Sequence, residues 1–220
     1  MASPPNSTSY ALLGLLSVRS WSTYELAQQV HRSLRWFWPR TERRLYDEPK
    51  RLAAAGLVAV EERYAGRRRS RHYTITDEGR EALSAWLGEP SAPRVTEFEA
   101  MVKVFFADAG DRDQLRRTLE SIERESLERI AELRDLSGRP TNFPHRRHLH
   151  ALCLPAMLGE VEATLLWSRW ARERVEEWVS ATDAGAWDPH AELARVAARA
   201  TALLAGGDGV DVHPREPVAD

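Results

Sequence analysis

The apolar positions of the first 34 residues predict two short helices. Residues 10–16 are an almost unbroken apolar run, about two helical turns long. Ser22 and Glu25 have the spacing of a capping box, in which each side chain accepts a hydrogen bond from the other residue's backbone N–H. We therefore expect a second helix to begin after Ser22 and to run to about Leu34.

A third helix is predicted after an aromatic turn. Residues 36–39, Trp-Phe-Trp-Pro, interrupt the helical pattern. Thr41 can then cap a helix that runs to about Ala55 and is stopped by Gly56. Three short helices are thus expected before any strand.

Two β-favouring runs follow and predict a hairpin. Residues 57–64 and 71–75 are the two runs, and the basic segment 65–70 between them is expected to be an exposed tip. Thr76 can cap a fourth helix that extends through Trp86. Three helices, a hairpin and a further helix are the order of a winged helix-turn-helix.

Beyond the hairpin region the pattern has the period of helices. Apolar residues recur from 115 to 136, then from about Arg146 to Val179, and again from Ala191 to Ala205. Helices this long in so thin a domain usually need a partner to cover them. The first two stripes comprise Leu115, Leu119, Ile122, Ile130, Leu133 and Leu136, and then Leu149, Leu152, Ala156, Val161, Leu165, Trp170, Val175 and Trp178.

Proline and small residues at 88–93 interrupt the two patterned regions and predict a domain boundary. We assign residues 1–90 to a winged helix-turn-helix DNA-binding domain, 91–205 to a helical dimerisation and candidate effector domain, and 206–220 to a disordered tail. The predicted fold class is mainly α. It comprises an N-terminal winged helix-turn-helix with a small β-hairpin wing and an all-helical C-terminal dimerisation domain.

Charge is divided unevenly between these regions. Residues 1–90 carry 14 Lys and Arg against 10 Asp and Glu, which leaves 17 against 23 of the totals of 31 and 33. The net charges are therefore +4 and −6, so a polyanion is expected to contact only the first region. The single Cys153 excludes an internal disulfide framework.

A cytoplasmic protein without a membrane partner is expected. Residues 1–5 lack the basic and then apolar pattern of a signal peptide. No stretch approaches the roughly 20 uninterrupted apolar residues of a membrane helix.

Several short motifs, in order and at consistent separations, resemble the PadR family of bacterial regulators. They lie at residues 10–16, 23–26, 45–46 with 50–52 and 56–58, and 73–80. Residues 99–108 are similar to the opening of the helical C-terminal domain of the longer PadR-like subgroup. The resemblance implies a homodimer that usually represses transcription by binding an inverted repeat, and that is relieved by a small molecule or another signal.

One position departs from the family pattern inside the expected recognition helix, the third helix. Pro49 stands where leucine is usual. Proline removes one backbone hydrogen bond and crowds the carbonyl of Leu45, so the helix is expected to kink or open there.

The outward face of the recognition helix supplies candidate DNA contacts, whereas Leu45, Pro49 and Leu52 share the inward face. An arginine can pair bidentately with guanine, which suits Arg43, while Tyr46 and Lys50 suit phosphate contacts. The alternative is an ordinary solvated face. The candidate set is Arg40, Thr41, Arg43, Arg44, Tyr46 and Lys50.

Four arginines are expected at the hairpin tip: Arg67, Arg68, Arg69 and Arg71. Like charges in one loop repel each other and gain stability when a counter-charge arrives. The phosphates or the minor groove of DNA would supply that charge. Plain surface is the alternative.

No metal and no cofactor are expected. His145 and His148 can share a helical face, as can His150 and Cys153, but positions 148 and 150 face apart. One tetrahedral site cannot easily use all four side chains.

A cluster of large apolar side chains on the second long helix has two interpretations. It can be core and dimer interface, or it can wall an effector pocket between subunits that suits a flat aromatic or phenolic compound. Its members are Met157, Leu166, Trp167, Trp170 and Trp178.

No enzyme is predicted, because no phosphate loop, nucleophile elbow or paired-carboxylate spacing stands out. The predicted function is a sequence-specific regulator of transcription. It would bind double-stranded DNA as a homodimeric repressor and be relieved by a small-molecule effector. The competing hypothesis is a helical adaptor or protein-interaction module whose winged helix no longer binds DNA.

Overall fold

The computed structural model describes residues 4–38, 42–65, 68–139 and 143–206, with the backbone alone for residues 42–44, 65 and 68. The chain divides into two units, residues 1–94 and 95–220. Apart from Gly206, the predicted disordered tail lies outside the described residues.

Helices and a small sheet alternate in the first unit. The elements are α1 (Ser7–Leu16), β1 (Trp21–Ser22), α2 (Thr23–Ser33), α3 (Glu42–Ala54), β2 (Val58–Ala65), β3 (Arg68–Ile75) and α4 (Asp77–Leu87). The predicted capping box of α2 is confirmed, since Ser22 N donates to Glu25 Oε2 at 2.7 Å and Glu25 N donates to Ser22 Oγ at 3.2 Å. The predicted cap of α4 is confirmed as well, because Gly79 N donates to Thr76 Oγ1 at 3.1 Å.

The sheet is antiparallel with the strand order β1-β3-β2. The expectation of three helices before any strand is wrong, because β1 lies between α1 and α2 and pairs Trp21 with Tyr73. Two residues are too few to show the alternation that predicts a strand. Their pairing depends on an edge of β3 that lies fifty residues further along the chain.

The helices of the first unit enclose a leucine-rich core. Gly79 allows the start of α4 to approach the sheet closely, since a Cβ atom there would lie 2.1 Å from the carbonyl oxygen of Leu57. The buried apolar side chains are Leu12, Leu13, Leu16, Trp21, Leu26, Ala27, Val30, Leu45, Leu52, Val58, Tyr73 and Ile75.

Apart from loops and one isolated bridge between Ser180 and Asp183, the second unit is helical in its described residues, which confirms the predicted class. It comprises α5 (Glu99–Phe105), a 3-10 turn (Ala107–Ala109), α6 (Arg112–Gly138), α7 (Arg147–Glu176) and α8 (Pro189–Leu204). The start of α6 lies against the end of α7, so the two helices are antiparallel. Arg112 donates to the carbonyl oxygen of Trp178 at 2.6 Å, and Arg169 pairs with Glu123 at 2.8 Å.

The apolar stripe of α7 divides into a covered and an uncovered half. Val161, Leu165 and Val175 are buried, whereas Leu149 and Leu152 are exposed. Helix α8 has no buried residue at all among its sixteen positions. Much of the apolar surface predicted from the helical period is therefore uncovered within one chain.

One stretch requires a correction to the membrane expectation. Among the described residues, Pro144–Glu176 is long and apolar enough to cross a membrane by length and composition alone. An uninterrupted apolar run is not found there because Glu160 and Glu162 lie within it. The core helix of a protein without a membrane span passes the same test, and the last part of α7 packs against α6.

Candidate DNA-binding surface

Helices α2 and α3 form the helix-turn-helix of the first unit. The predicted inward face of α3 is confirmed, since Leu45, Pro49 and Leu52 are all buried. The predicted opening at Pro49 is wrong, because α3 runs through it to Ala54. The Pro49 ring is buried, and this burial offsets part of the cost of the hydrogen bond that the Leu45 carbonyl loses.

The outward face of α3 is polar and exposed where its side chains are described. Tyr46 and Lys50 both lie on it, and Lys50 Nζ is 3.2 Å from Asp47 Oδ1. An ion pair this exposed contributes little to stability, so the ammonium group can exchange its carboxylate for a phosphate at small cost. The predicted contacts Arg40 and Thr41 lie outside the described residues, as do the side chains of Arg43 and Arg44.

One functional candidate on α3 was missed by the sequence analysis. Glu48 is only 5% exposed, and its carboxylate accepts a hydrogen bond from Ser9 Oγ and pairs with Arg51 at 2.9 Å. The sequence signal was present, because position 48 is three residues after Leu45 and four before Leu52 and so falls on the inward stripe.

The hairpin is longer than predicted. Strand β3 begins at Arg68 rather than Arg71, and Arg69 pairs in register with Tyr64. The prediction that residues 65–70 form the loop is therefore wrong for 65 and for 68–70. Arginine and serine are not strong strand formers, but cross-strand contacts decide strand length more than intrinsic preference does.

One face of the hairpin changes from apolar to charged along its length. Directly opposed residues share a face, and the successive pairs from the core outwards are Val58 with Ile75, Val60 with Tyr73, Glu62 with Arg71, and Tyr64 with Arg69. The first of these pairs is buried and the last two are exposed. The face of the hairpin that contributes to the core thus continues beyond it as an exposed and charged surface, which we call the wing.

Part of the positive charge of the wing arginines is offset within the described part of the hairpin, which the sequence analysis did not anticipate. Glu62 pairs with both Arg69 and Arg71, the latter at 3.7 Å. The hydrogen bond from Arg69 lowers the pKa of the Glu62 carboxyl, and the hydrogen bond from Arg63 lowers that of Glu61 in the same way. Arg67 and the side chain of Arg68 lie outside the described residues.

The predicted aromatic cluster of α7 is spread along the helix. Trp167 and Trp178 pack against the buried cluster of Leu115, Leu119, Ile122 and Val175, whereas Leu166 and Trp170 are exposed. Met157 precedes Trp170 by 13 residues, which is about 20 Å along a helix. One pocket within a single chain therefore does not use all five side chains.

Trp187 was missed and joins two of these tryptophans. Its ring stacks on Trp178 at 5.8 Å and meets Trp170 edge-on at 6.4 Å. It lies in the loop before α8, where no periodic pattern marks it. A separate open cavity of about 690 Å³ lies between α5 and α6, and none of the five predicted residues lines it.

No cluster of three or more His, Cys, Asp or Glu side chains suited to a metal ion occurs in the part of the chain that the structure describes. Cys153 is exposed.

A helix-turn-helix followed by a charged hairpin defines the winged helix-turn-helix class, whose members place a recognition helix in the major groove of DNA. Residues 12–85 match the model of the transcriptional regulator PadR-like family, and residues 98–176 match the virulence activator alpha C-terminal domain. The chain therefore carries a PadR-like family domain, and its C-terminal match fits the longer PadR-like subgroup. It is a transcriptional regulator of PadR type that binds DNA.

The similar proteins include regulators from several bacteria. The negative transcriptional regulator PadR of Bacillus subtilis is 28% identical over 131 residues, which are 59% of this chain and 70% of that protein. Its crystal structure in complex with operator DNA has a TM-score of 0.69 at 22% identity and covers 77% of this chain and 99% of that one. The same protein in complex with p-coumaric acid has a TM-score of 0.64, with 22% identity over 78% of this chain and 100% of that one.

The virulence activator AphA of Vibrio cholerae is also similar in structure. Its TM-score is 0.60 at 22% identity, over 77% of this chain and 98% of that one. At such identities the structural likeness shows a common fold.

Proposed function

We propose that this chain is a repressor that binds an inverted-repeat operator as a homodimer and is released by a small aromatic effector. The observation that carries the proposal is the exposed polar face of α3 beside a wing of exposed arginines on one winged helix-turn-helix unit. Arg43 would read a base, Tyr46 and Lys50 would contact phosphates, and Arg69 and Arg71 would reach the backbone or the minor groove. Arg40, Thr41, Arg44, Arg67 and Arg68 complete the proposed surface.

The domain assignment stays a proposal, with DNA binding in residues 1–90 and dimerisation in 91–205. Its support is the apolar surface that one chain leaves uncovered: Leu152 at 73% exposure and Leu193 at 66% exposure lie on helices of the second unit. Soluble monomers rarely leave so many large apolar side chains uncovered on neighbouring helices. A second copy supplies the same surface in return, as two-fold symmetry requires.

The effector proposal rests on the exposed edge of the tryptophan cluster. Trp170 is exposed within one chain while its partner Trp187 stacks on Trp178. Flat rings suit a flat aromatic ligand. The Bacillus PadR complex with p-coumaric acid supports this class of compound.

A non-enzymatic role in the cytoplasm fits the regulators that this chain resembles. No cofactor is part of the proposal. The helical adaptor remains the competing function, and the two differ in one property, since an adaptor needs no salt-dependent and sequence-specific affinity for DNA.

Selection from a random duplex library separates the two functions. The full chain should enrich one sequence with two-fold symmetry, and its affinity for that duplex should exceed its affinity for a scrambled duplex by at least about 10³. The logarithm of the affinity should fall linearly with that of the salt concentration. Failure to enrich any sequence would favour the adaptor.

A further inference from the structure

The inward face of α3 contains one carboxylate among apolar side chains. Glu48 lies on the stripe of Leu45, Pro49 and Leu52, all of which are buried. Its Oε1 atom accepts a hydrogen bond from Ser9 Oγ of α1, and its Oε2 atom accepts one from the Arg51 guanidinium at 2.9 Å. Both carboxylate oxygens are therefore satisfied.

Ser9 connects this carboxylate to the start of α1. The Ser9 side chain is 1% exposed, and its Oγ accepts a hydrogen bond from Asn6 N at 2.9 Å while donating to Glu48. The Asn6 side chain in turn caps α1 through Thr8 N at 2.8 Å. The N-terminal cap of α1 and the inward face of α3 thus form one hydrogen-bonded chain.

Stability alone does not explain a carboxylate at this position. Burying an ion pair costs about as much desolvation free energy as its attraction returns, and an apolar side chain of similar volume is often neutral or stabilising. Apolar contacts, however, permit small rotations and slides of a helix, whereas the hydrogen bond from Ser9 of α1 is directional. The contribution specific to Glu48 is therefore geometric.

We infer that Glu48 is a positioning residue for DNA binding, whose hydrogen bond with Ser9 fixes the rotation of the recognition helix on α1, while Arg51 of the same helix orients the carboxylate. This inference rests on the proposed role of α3 at DNA. Contacts between side chains and base edges need accurate placement, since each good pair discriminates only when donors and acceptors align. Glu48 acts through the helix and does not itself touch DNA.

The test compares thermal stability with DNA discrimination in the full chain. Glu48→Met should lower the melting temperature by several degrees but leave the chain folded, because the Ser9 hydroxyl loses its acceptor while Arg51, at 45% side-chain exposure, stays solvated. It should lower the affinity for the library-selected duplex about tenfold or more, and the affinity for a scrambled duplex by less than about twofold. Glu81→Met, at an exposed position of α4, is the matched control and should change neither affinity.

Ser9→Ala provides the second variant if Glu48→Met does not fold. It removes only the hydroxyl group. It should lower the affinity for the selected duplex more than the affinity for the scrambled duplex, as Glu48→Met should. The double variant should lose no more affinity for the selected duplex than the weaker of the two single variants, because the two residues act as one unit. An unchanged ratio of affinities in Glu48→Met, or in Ser9→Ala if the first variant is unfolded, would overturn the inference.

Amide hydrogen exchange separates this inference from the proposed function. Exchange over residues 42–54 should be faster in Glu48→Met and in Ser9→Ala than in Glu81→Met, in the absence of DNA. If the unmodified chain selects no DNA sequence, the proposed function fails, and the exchange result alone decides whether Glu48 positions α3. Equal exchange in all three variants would contradict that positioning.

Discussion

The two units differ in how completely they bury their apolar side chains. In the first unit most leucines of α1 are enclosed with those of α2 and α3, so the helix-turn-helix has its own core. In the second unit α6 and α7 cover each other along one face only, while the first half of α7 and the whole of α8 leave leucines exposed. The first unit therefore encloses its own core, and the second leaves apolar surface uncovered, which is the surface proposed for dimerisation.

This difference separates the two tasks of the proposed regulator. A recognition helix must be held rigidly, and its enclosed core together with Glu48 and Ser9 does so. Dimerisation must leave apolar surface available until the second copy arrives. The predictions that follow change one unit at a time, in decreasing order of expected effect.

Removal of the second unit should have the largest effect. A fragment that ends at Pro90 should remain folded but be monomeric, with affinity for the selected duplex lower by roughly 10²–10⁴, because two linked units bind two half-sites with one loss of rigid-body freedom. Sedimentation and anisotropy titration at equal salt measure both quantities. A dimeric fragment would show that the interface lies in the first unit.

A charge on the uncovered half of α7 should have the next largest effect. Leu152→Glu should shift the chain towards monomer and weaken DNA binding by roughly one to two orders of magnitude, because an unpaired charge is costly to bury in an interface. The control is Leu87→Glu, at a leucine that is 69% exposed in the first unit. Similar mass distributions for both variants would mean that Leu152, like Leu87, is not buried in an interface between two chains.

On α3, Arg43→Ala should reduce sequence discrimination, whereas Lys50→Ala should reduce the affinity for any DNA sequence. Loss of a base contact at Arg43 should cost about 1–3 kcal/mol on the selected duplex and little on a scrambled one. Loss of a phosphate contact at Lys50 should weaken both duplexes about equally and reduce the salt slope by about one. Affinities measured on both duplexes at several salt concentrations decide this, and equal loss of discrimination in the two variants would refute the division of roles.

The smallest effect is expected at the wing. Glu62 pairs with Arg69 and Arg71, so Glu62→Gln should free both guanidinium groups and raise DNA affinity about twofold to fivefold. The folded-state pKa of this carboxyl is lowered, so its ion pairs are fully present above the ordinary value of 4.5 and are lost only as the pH falls through the lowered value. The gain should therefore be constant between pH 6 and 8. A lower affinity of the variant would indicate that Glu62 orients the arginines productively.

Local signals in the sequence predicted much of this fold. The capping box at Ser22 and Glu25 and the cap at Thr76 determine helix starts within a few residues of chain, so the pattern alone locates them. The burial of Leu45 and Leu52 follows from the helical period in the same way. Glu48 satisfied the same period but was missed, because a carboxylate is not expected at a core position unless its partner on another helix is known.

Features that depend on distant partners were not predictable. Strand β1 exists because β3 offers an edge, and the pairing of Glu62 with Arg69 depends on a register that extends into the expected loop. Trp187 joins two tryptophans from a loop that carries no period. Such contacts are set by tertiary packing rather than by nearby sequence.

The stoichiometry of the DNA complex tests the central claim most directly. The full chain is titrated at one salt concentration into the selected duplex and into a duplex that carries one half-site, while anisotropy and sedimentation report affinity and mass. The account predicts two chains on each complete duplex and an affinity for the half-site duplex lower by at least about 10². One chain on each complete duplex, bound as tightly as on the half-site duplex, would contradict it.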